Sequence, residues 1–114
     1  MRQAGKIDYI EFRGGELIST KRFYADAFGW RFQDFGPTYA AFEGSGIDGG
    51  FQADPTQGPA QPLVILYDDD LEGAADKVVA AGGQICVPIF AFPGGRRFHF
   101  RDPAGNELAV WSET

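Results

Sequence analysis

The sequence predicts an α+β fold: two βαβββ modules whose strands form a curved sheet, as a half-barrel or a closed barrel, with the helices outside. Three observations predict it. A short run rich in β-branched and aromatic residues, 7–12, leads into a helix-periodic run that ends at a glycine. Three short strand-like segments follow, separated by turn residues. After a connector of small and polar residues the same succession starts again and fills the rest of the chain.

Residues 7–12 read as a strand closed by Gly14 and Gly15. Over 16–28 the apolar positions Leu17, Ile18, Phe23, Tyr24, Ala27 and Phe28 fit a helical stripe packed on that strand, and Gly29 stands where a C-terminal glycine belongs. The segments 30–35, 38–43 and 47–52 are parted by Gly36-Pro37 and Gly44-Ser45-Gly46, which predicts an antiparallel meander. Residues 53–61 hold two prolines and a glycine and suit an exposed connector.

The second succession begins with an apolar strand at 62–67. Asp68, Asp69 and Asp70 precede a helix whose buried stripe is Leu71, Ala74, Ala75, Val78 and Val79, ending at Gly82-Gly83. Strands follow near 84–90, 96–101 and 107–111, with Pro93-Gly94-Gly95 and the run from Asp102 to Asn106 as turns. One domain over 1–114 is expected, with modules at about 6–52 and 62–112. A ferredoxin-like domain also joins two helices to a sheet, but its four strands leave half of this pattern unexplained.

The formal charge is −6, and acids are spread along the chain. No basic stripe exists to neutralise phosphates, so neither nucleic acid nor an anionic membrane is an expected partner. The lone Cys86 cannot form an intrachain disulfide, no signal pattern opens the chain, and no apolar run approaches the roughly 20 residues of a membrane span. Cytoplasm is the expected compartment. Eleven phenylalanines, four tyrosines and two tryptophans exceed what a small core needs, which leaves rings for a cavity or a subunit interface, and a homodimer is expected.

Three pieces of the chain resemble the vicinal-oxygen-chelate superfamily, the glyoxalase, bleomycin-resistance and dioxygenase relatives. They are Arg22-Phe23-Tyr24 with Phe28-Gly29-Trp30, Asp70-Leu71-Glu72 leading to Ala81-Gly82-Gly83, and Phe100-Arg101-Asp102-Pro103-Ala104-Gly105-Asn106. Their order and spacing carry the resemblance, since each alone is an ordinary helix pair or turn. Metal-dependent members place one His, Glu or Gln on the first and last strand of each module. By the resemblance those positions fall here on Tyr9, within 49–52, on Leu63 and on Ala109, where only Gln52 offers a weak donor. The resemblance therefore implies the metal-independent branch, with no cofactor, since such metals need about three or four converging N or O donors.

Strand alternation puts Glu11 on the side of Tyr9, and Glu107 and Trp111 on the side of Ala109. The parity matching the superfamily turns Arg97 and His99 inward and Phe98 and Phe100 against a helix. A pocket of Tyr9, Glu11, Arg97, His99, Glu107 and Trp111 is thus expected, holding a small polar ligand, with His99 able to move a proton near its ordinary pKa of about 6.5. On the structural alternative, Arg97 pairs with Glu107 and His99 is a half-buried strand residue. A divalent-metal lyase, isomerase or dioxygenase with a relocated His99, Glu11 and Glu107 set is a second functional reading, and a non-catalytic regulatory or interaction domain a third. Arg96 reads as a solvated edge charge, Cys86 as a small buried hydrophobe, the Asp68 to Asp70 run as capping, and Gly49-Gly50 and Gly94-Gly95 as turns or bulges.

Overall fold

The computed structural model describes residues 2–60 and 62–114. The elements are β1 (Lys6–Arg13), α1 (Leu17–Phe28), β2 (Arg31–Asp34), β3 (Tyr39–Glu43), β4 (Gly49–Gln52), β5 (Leu63–Tyr67), α2 (Leu71–Ala80), β6 (Gln84–Phe92), β7 (Gly95–Arg101) and β8 (Glu107–Ser112). This is the α+β succession that the sequence predicts, βαβββ twice. Two compact units divide the chain: Tyr9–Leu63, and Val64–Thr114 with the N-terminal residues up to Asp8.

Within the first unit the strands run in the order β2-β3-β4-β1. β2, β3 and β4 form the expected antiparallel meander, whereas β1 lies parallel to β4, with Glu11 beside Gly50 and Phe12 beside Phe51. Helix α1 starts where the Glu16 carboxylate accepts hydrogen bonds from the amides of Ile18 and Ser19, at 2.8 and 3.2 Å. It stops at Gly29, whose φ of +75° suits the left-handed C-terminal position. Tyr24 carries its packing: the ring stacks on Trp30 with centroids 4.7 Å apart and meets Phe51 at 5.2 Å, and Trp30 continues to Phe42 at 4.7 Å.

The predicted buried stripe of α1 is too wide. Ile18, Phe23 and Phe28 are 67%, 57% and 63% exposed. A helix meets a sheet over a face of roughly 100°. Leu17, Thr20, Lys21 and Tyr24 occupy that face and are half-buried, Ile18 and Phe23 stand on its flanks, and Phe28 sits in the last turn.

A second correction concerns Gly49 and Gly50, expected in a turn or bulge. Both stand in regular pairing within β4. Their lack of a side chain serves close approach: a Cβ on Gly49 would lie 2.3 Å from the Phe42 ring, and one on Gly50 would lie 2.5 Å from the Tyr39 hydroxyl oxygen.

Within the second unit the order is β6-β7-β8-β5, with β5 parallel to β8 and β6, β7 and β8 antiparallel. Asp70 caps α2 by accepting from the Gly73 amide at 3.1 Å, and Asp68 accepts from the Asp70 amide at 2.9 Å, so the acidic run does the capping expected of it. Leu71 and Ala74 of α2 form a core with Phe98 and Val110, flanked by Leu66, Ile85 and Phe100. Full burial of Phe98 contributes ~2–3 kcal/mol. Val79, placed in the predicted stripe, is 57% exposed at its edge.

Arg96 also departs from expectation, because its guanidinium bonds both Glu72 oxygens, at 2.6 and 3.2 Å, and the Thr114 carbonyl at 2.8 Å. That grip ties the start of β7 to α2 and to the chain end, and it holds the Glu72 carboxyl below its ordinary pKa. Of the Gly94-Gly95 pair only Gly94 makes the turn, at φ +114°; Gly95 lies in β7, where a Cβ would strike the Ser112 carbonyl.

Candidate functional site

Helix α2 covers one face of its sheet with Phe98, Phe100, Leu66 and Val110, so alternation sends Arg97, His99, Glu107 and Trp111 to the opposite face. The register agrees: His99 stands beside Ala109, Arg97 beside Trp111 and Arg101 beside Glu107. Phe98 and Phe100 lie against the helix, as expected from alternation on β7.

On that helix-free face His99, 3% exposed, places Nδ1 2.9 Å from Glu107 Oε2. A carboxylate only accepts, so Nδ1 carries the hydrogen and the imidazole is held in one orientation. The second Glu107 oxygen lies 3.8 Å from Arg101 Nη2. Arg97, the partner expected for Glu107 on the structural alternative, stands opposite Trp111 in the β7–β8 register. Its guanidinium lies over Phe90 and Phe92, at 5.5 and 5.7 Å from the ring centroids. Trp111 is fixed by Tyr67, edge-on at 5.5 Å, and by its own Nε1, which donates to Asp8 Oδ2 at 2.9 Å.

Cys86 is half-buried, as a small apolar strand residue would be. Burial first, and then the nearby Glu107 charge, pushes its thiol pKa up, which keeps it a poor nucleophile.

The first unit's helix-free face carries the other two candidates. Tyr9 and Glu11 alternate with Ile10 and Phe12 on β1, and Phe12 turns to Phe42 and Phe51 on the helix side. Glu11 is 6% exposed. Tyr39 of β3 donates to Glu11 Oε1 at 3.1 Å, and the Tyr9 and Tyr39 hydroxyls are 2.7 Å apart. Since the single Tyr39 proton goes to Glu11, Tyr9 is the donor in the second bond. Burial above all, and then the Glu11 carboxylate, drives the Tyr39 pKa far above the ordinary phenol value, so this hydroxyl stays protonated.

Tyr39, Gly50, Arg13 and Asp8 were not among the candidates. For Tyr39 the signal existed in the parity of β3, where Tyr39 and Ala41 alternate with Ala40 and Phe42. Its use depends on Gly50 being bare, which pattern reading took for a turn. A cleft of about 470 Å³ beside α1 is formed by the rings of Phe12, Phe23, Tyr24 and Phe51 with Arg13 and Pro62, and none of the six candidate residues lines it.

The model of the Glyoxalase/Bleomycin resistance protein/Dioxygenase superfamily matches residues 6–110. The chain belongs to this superfamily. The curated proteins similar to it include CFP32 of Mycobacterium bovis and of Mycobacterium tuberculosis, provisionally named glyoxylases, each 26% identical over 94% of this chain and 45% of the relative. The chain thus spans about half the length of the curated relatives it matches. Among solved structures, the Mn(II)-bound glyoxalase of Novosphingobium aromaticivorans matches with a TM-score of 0.69 and 24% identity, over 99% of this chain and 40% of that one. Methylmalonyl-CoA epimerase of Mycobacterium tuberculosis matches with a TM-score of 0.73 and 12% identity, over 98% and 90%. These two likenesses establish the fold.

Among the described residues, the positions that the resemblance gives for metal donors, on the first and last strands of each module, do not fit one. Leu63 and Ala109 are buried and have no donor atom. Gln52, the donor on β4, spends its Oε1 on the Asp54 amide at 2.9 Å. The Tyr9 hydroxyl is committed to Tyr39. Among the described residues no group of three or more His, Cys, Asp or Glu side chains could hold a metal ion, which removes the support for a relocated His99, Glu11 and Glu107 set. Among the same residues no helix is long and apolar enough to cross a membrane.

Proposed function

We propose that this superfamily domain binds a small organic molecule without a metal ion, through the polar and aromatic groups on the helix-free face of each module: Tyr9, Glu11 and Tyr39 on one, and Arg97, His99, Glu107 and Trp111 on the other. The observation that carries the reading is the state of the ionisable groups. Glu11 and His99 are nearly solvent-free, yet each lies on the helix-free face of its sheet, hydrogen-bonded and oriented beside aromatic rings. Burying such groups is costly, and a fold seeking stability alone is served by apolar residues there. Oriented hydroxyl, carboxylate and imidazole groups among rings suit a ligand with carbonyl or hydroxyl oxygens on an apolar frame. Relatives named for glyoxalase and for methylmalonyl-CoA epimerase agree with that chemistry.

The test is a thermal-shift screen of oxygenated metabolites against protein purified without chelator, with elemental analysis of the same sample. A ligand should raise Tm in the wild type and fail to do so in His99→Phe. Near-stoichiometric transition metal in the purified protein would overturn the metal-independent reading.

The same reading includes a homodimer. Ile18, Phe23 and Phe28 expose large apolar surface along one module's helix, and a second copy of the chain is the partner that symmetry makes commonest. Light scattering should return twice the chain mass; the mass of one chain at every concentration would contradict it.

A further inference from the structure

The connector after β4 starts on two bonds, from the Ala53 amide to the Thr38 carbonyl at 2.8 Å and from the Asp54 amide to Gln52 Oε1 at 2.9 Å, and its turn is gripped by the Arg13 side chain. Arg13, the last residue of β1, donates from Nη2 to the Asp54 carbonyl at 2.7 Å and from Nη1 to the Gln57 carbonyl. The guanidinium thereby spans a turn that the Gln57 amide closes onto the Asp54 carbonyl at 3.1 Å. Asp54 stiffens the turn by accepting from the amide and hydroxyl of Thr56, at 2.9 and 2.7 Å. Beyond it the chain descends on the sheet at Gly58, whose φ is +72°. A Cβ at that position would lie 3.7 Å from Glu11 Oε2 and 3.8 Å from Arg13 Nη1. The connector therefore passes directly over the Glu11 carboxylate.

No described side chain from residue 53 to residue 60 is buried. An element without apolar anchorage, held by a few polar contacts, opens at a small fraction of the global unfolding free energy. Arg13 is the main contact, and the carbonyls it holds are neutral acceptors that water can replace.

We propose that residues 53–60 form a strap over the Glu11 and Tyr39 face, latched by Arg13, and that release of the latch admits a small ligand to those two groups. The strap deepens the function proposed above and rests on it only for what enters. Its opening is a property of the ligand-free chain, so a fruitless ligand screen and a rigid strap are separate results.

Hydrogen exchange read by mass spectrometry on the full chain, with nitration of Tyr39 by tetranitromethane mapped by peptide, tests the latch. In Arg13→Gln the Gln57 amide should exchange at least about tenfold faster, and Tyr39 should be nitrated faster, while α2 amides keep wild-type rates. Arg13→Lys retains one charged donor and should fall between the two. Unchanged exchange at Gln57 in Arg13→Gln would overturn the proposal. So would an equal acceleration reaching α2 in both variants, since that is loss of the fold and not release of a strap.

Discussion

Gly50→Ala tests the local geometry of the candidate site, because its cost is traceable to a single neighbour. A Cβ built on Gly50 lies 2.5 Å from the Tyr39 hydroxyl oxygen and 2.7 Å from two of its ring carbons. Ordinary contacts of this kind are about 3.5–4.0 Å, so the overlap is close to 1 Å. The Gly50 backbone has no positive φ, hence alanine suffers no backbone strain. The ring must move, and with it go the Tyr39 bond to Glu11 and the Tyr9 bond to Tyr39. Overpacking of this size costs ~1–3 kcal/mol, and the two lost hydrogen bonds about 1 kcal/mol each. The single variant is therefore expected at about 3–5 kcal/mol of destabilisation, on the order of 15 °C in Tm.

Specificity comes from the second arm. In a Tyr39→Ala background the ring is gone, and Gly50→Ala then relieves only the flexibility of glycine in a strand, worth roughly 0.5 kcal/mol in the opposite direction. Four proteins unfolded in urea with a common slope give the coupling directly, and about 3.5–5.5 kcal/mol is expected. Equal costs for Gly50→Ala in the two backgrounds would refute the account, because the strain would then lie in the backbone of β4.

Alkaline titration follows Tyr39. In the unfolded chain its phenol ionises near pH 10, whereas the fold holds that proton to a higher pH, so its stabilising contribution is complete below about pH 10 and falls as pH rises beyond it. The stability gap between wild type and Tyr39→Phe should close above about pH 10, by at most ~1.4 kcal/mol per pH unit, in urea unfolding; a gap constant to pH 11 would contradict the assignment. His99→Phe should keep the fold, since a strand tolerates an aromatic, but should lose about 1.5–3 kcal/mol with the hydrogen bond to Glu107. A loss below ~0.5 kcal/mol by denaturant unfolding would mean that the pair is not formed in solution.

The succession of elements was legible because its signals are local: Gly29 and Asp70 at helix ends, turn residues between strands, and a period that changes from helical to strand-like. Parity on β7 and β8 was legible for the same reason, since Phe98 and His99 alternate whatever their neighbours are. Partner identity was not. Sequence left Arg97, His99 and Tyr9 all open as partners of the two glutamates; antiparallel register put Arg97 beside Trp111 and brought His99 within reach of Glu107. Likewise nothing local marks Gly50 as the floor beneath a ring that lies eleven residues earlier in the chain, nor Arg96 as the partner of Glu72. Such contacts depend on register across strands, which a single sequence does not display.

The registers also show what the duplicated modules share. In the first unit Glu11, Gly50 and Ala41 lie side by side across β1, β4 and β3. In the second, Ile65, Ala109 and His99 hold the same three places across β5, β8 and β7. The middle place is kept small in both, by Gly50 and Ala109, so that whatever stands beside it has room. The ionisable group has changed strands: a carboxylate on the first strand of one module, an imidazole on the third strand of the other. First and last strands are the ones from which metal-holding relatives draw their donors, and of the four residues on those strands in these rows only Glu11 has a donor atom. A single carboxylate engaged by Tyr39 is a poor start for a metal site, and what each module keeps in its row is one ionisable group, oriented and nearly dry.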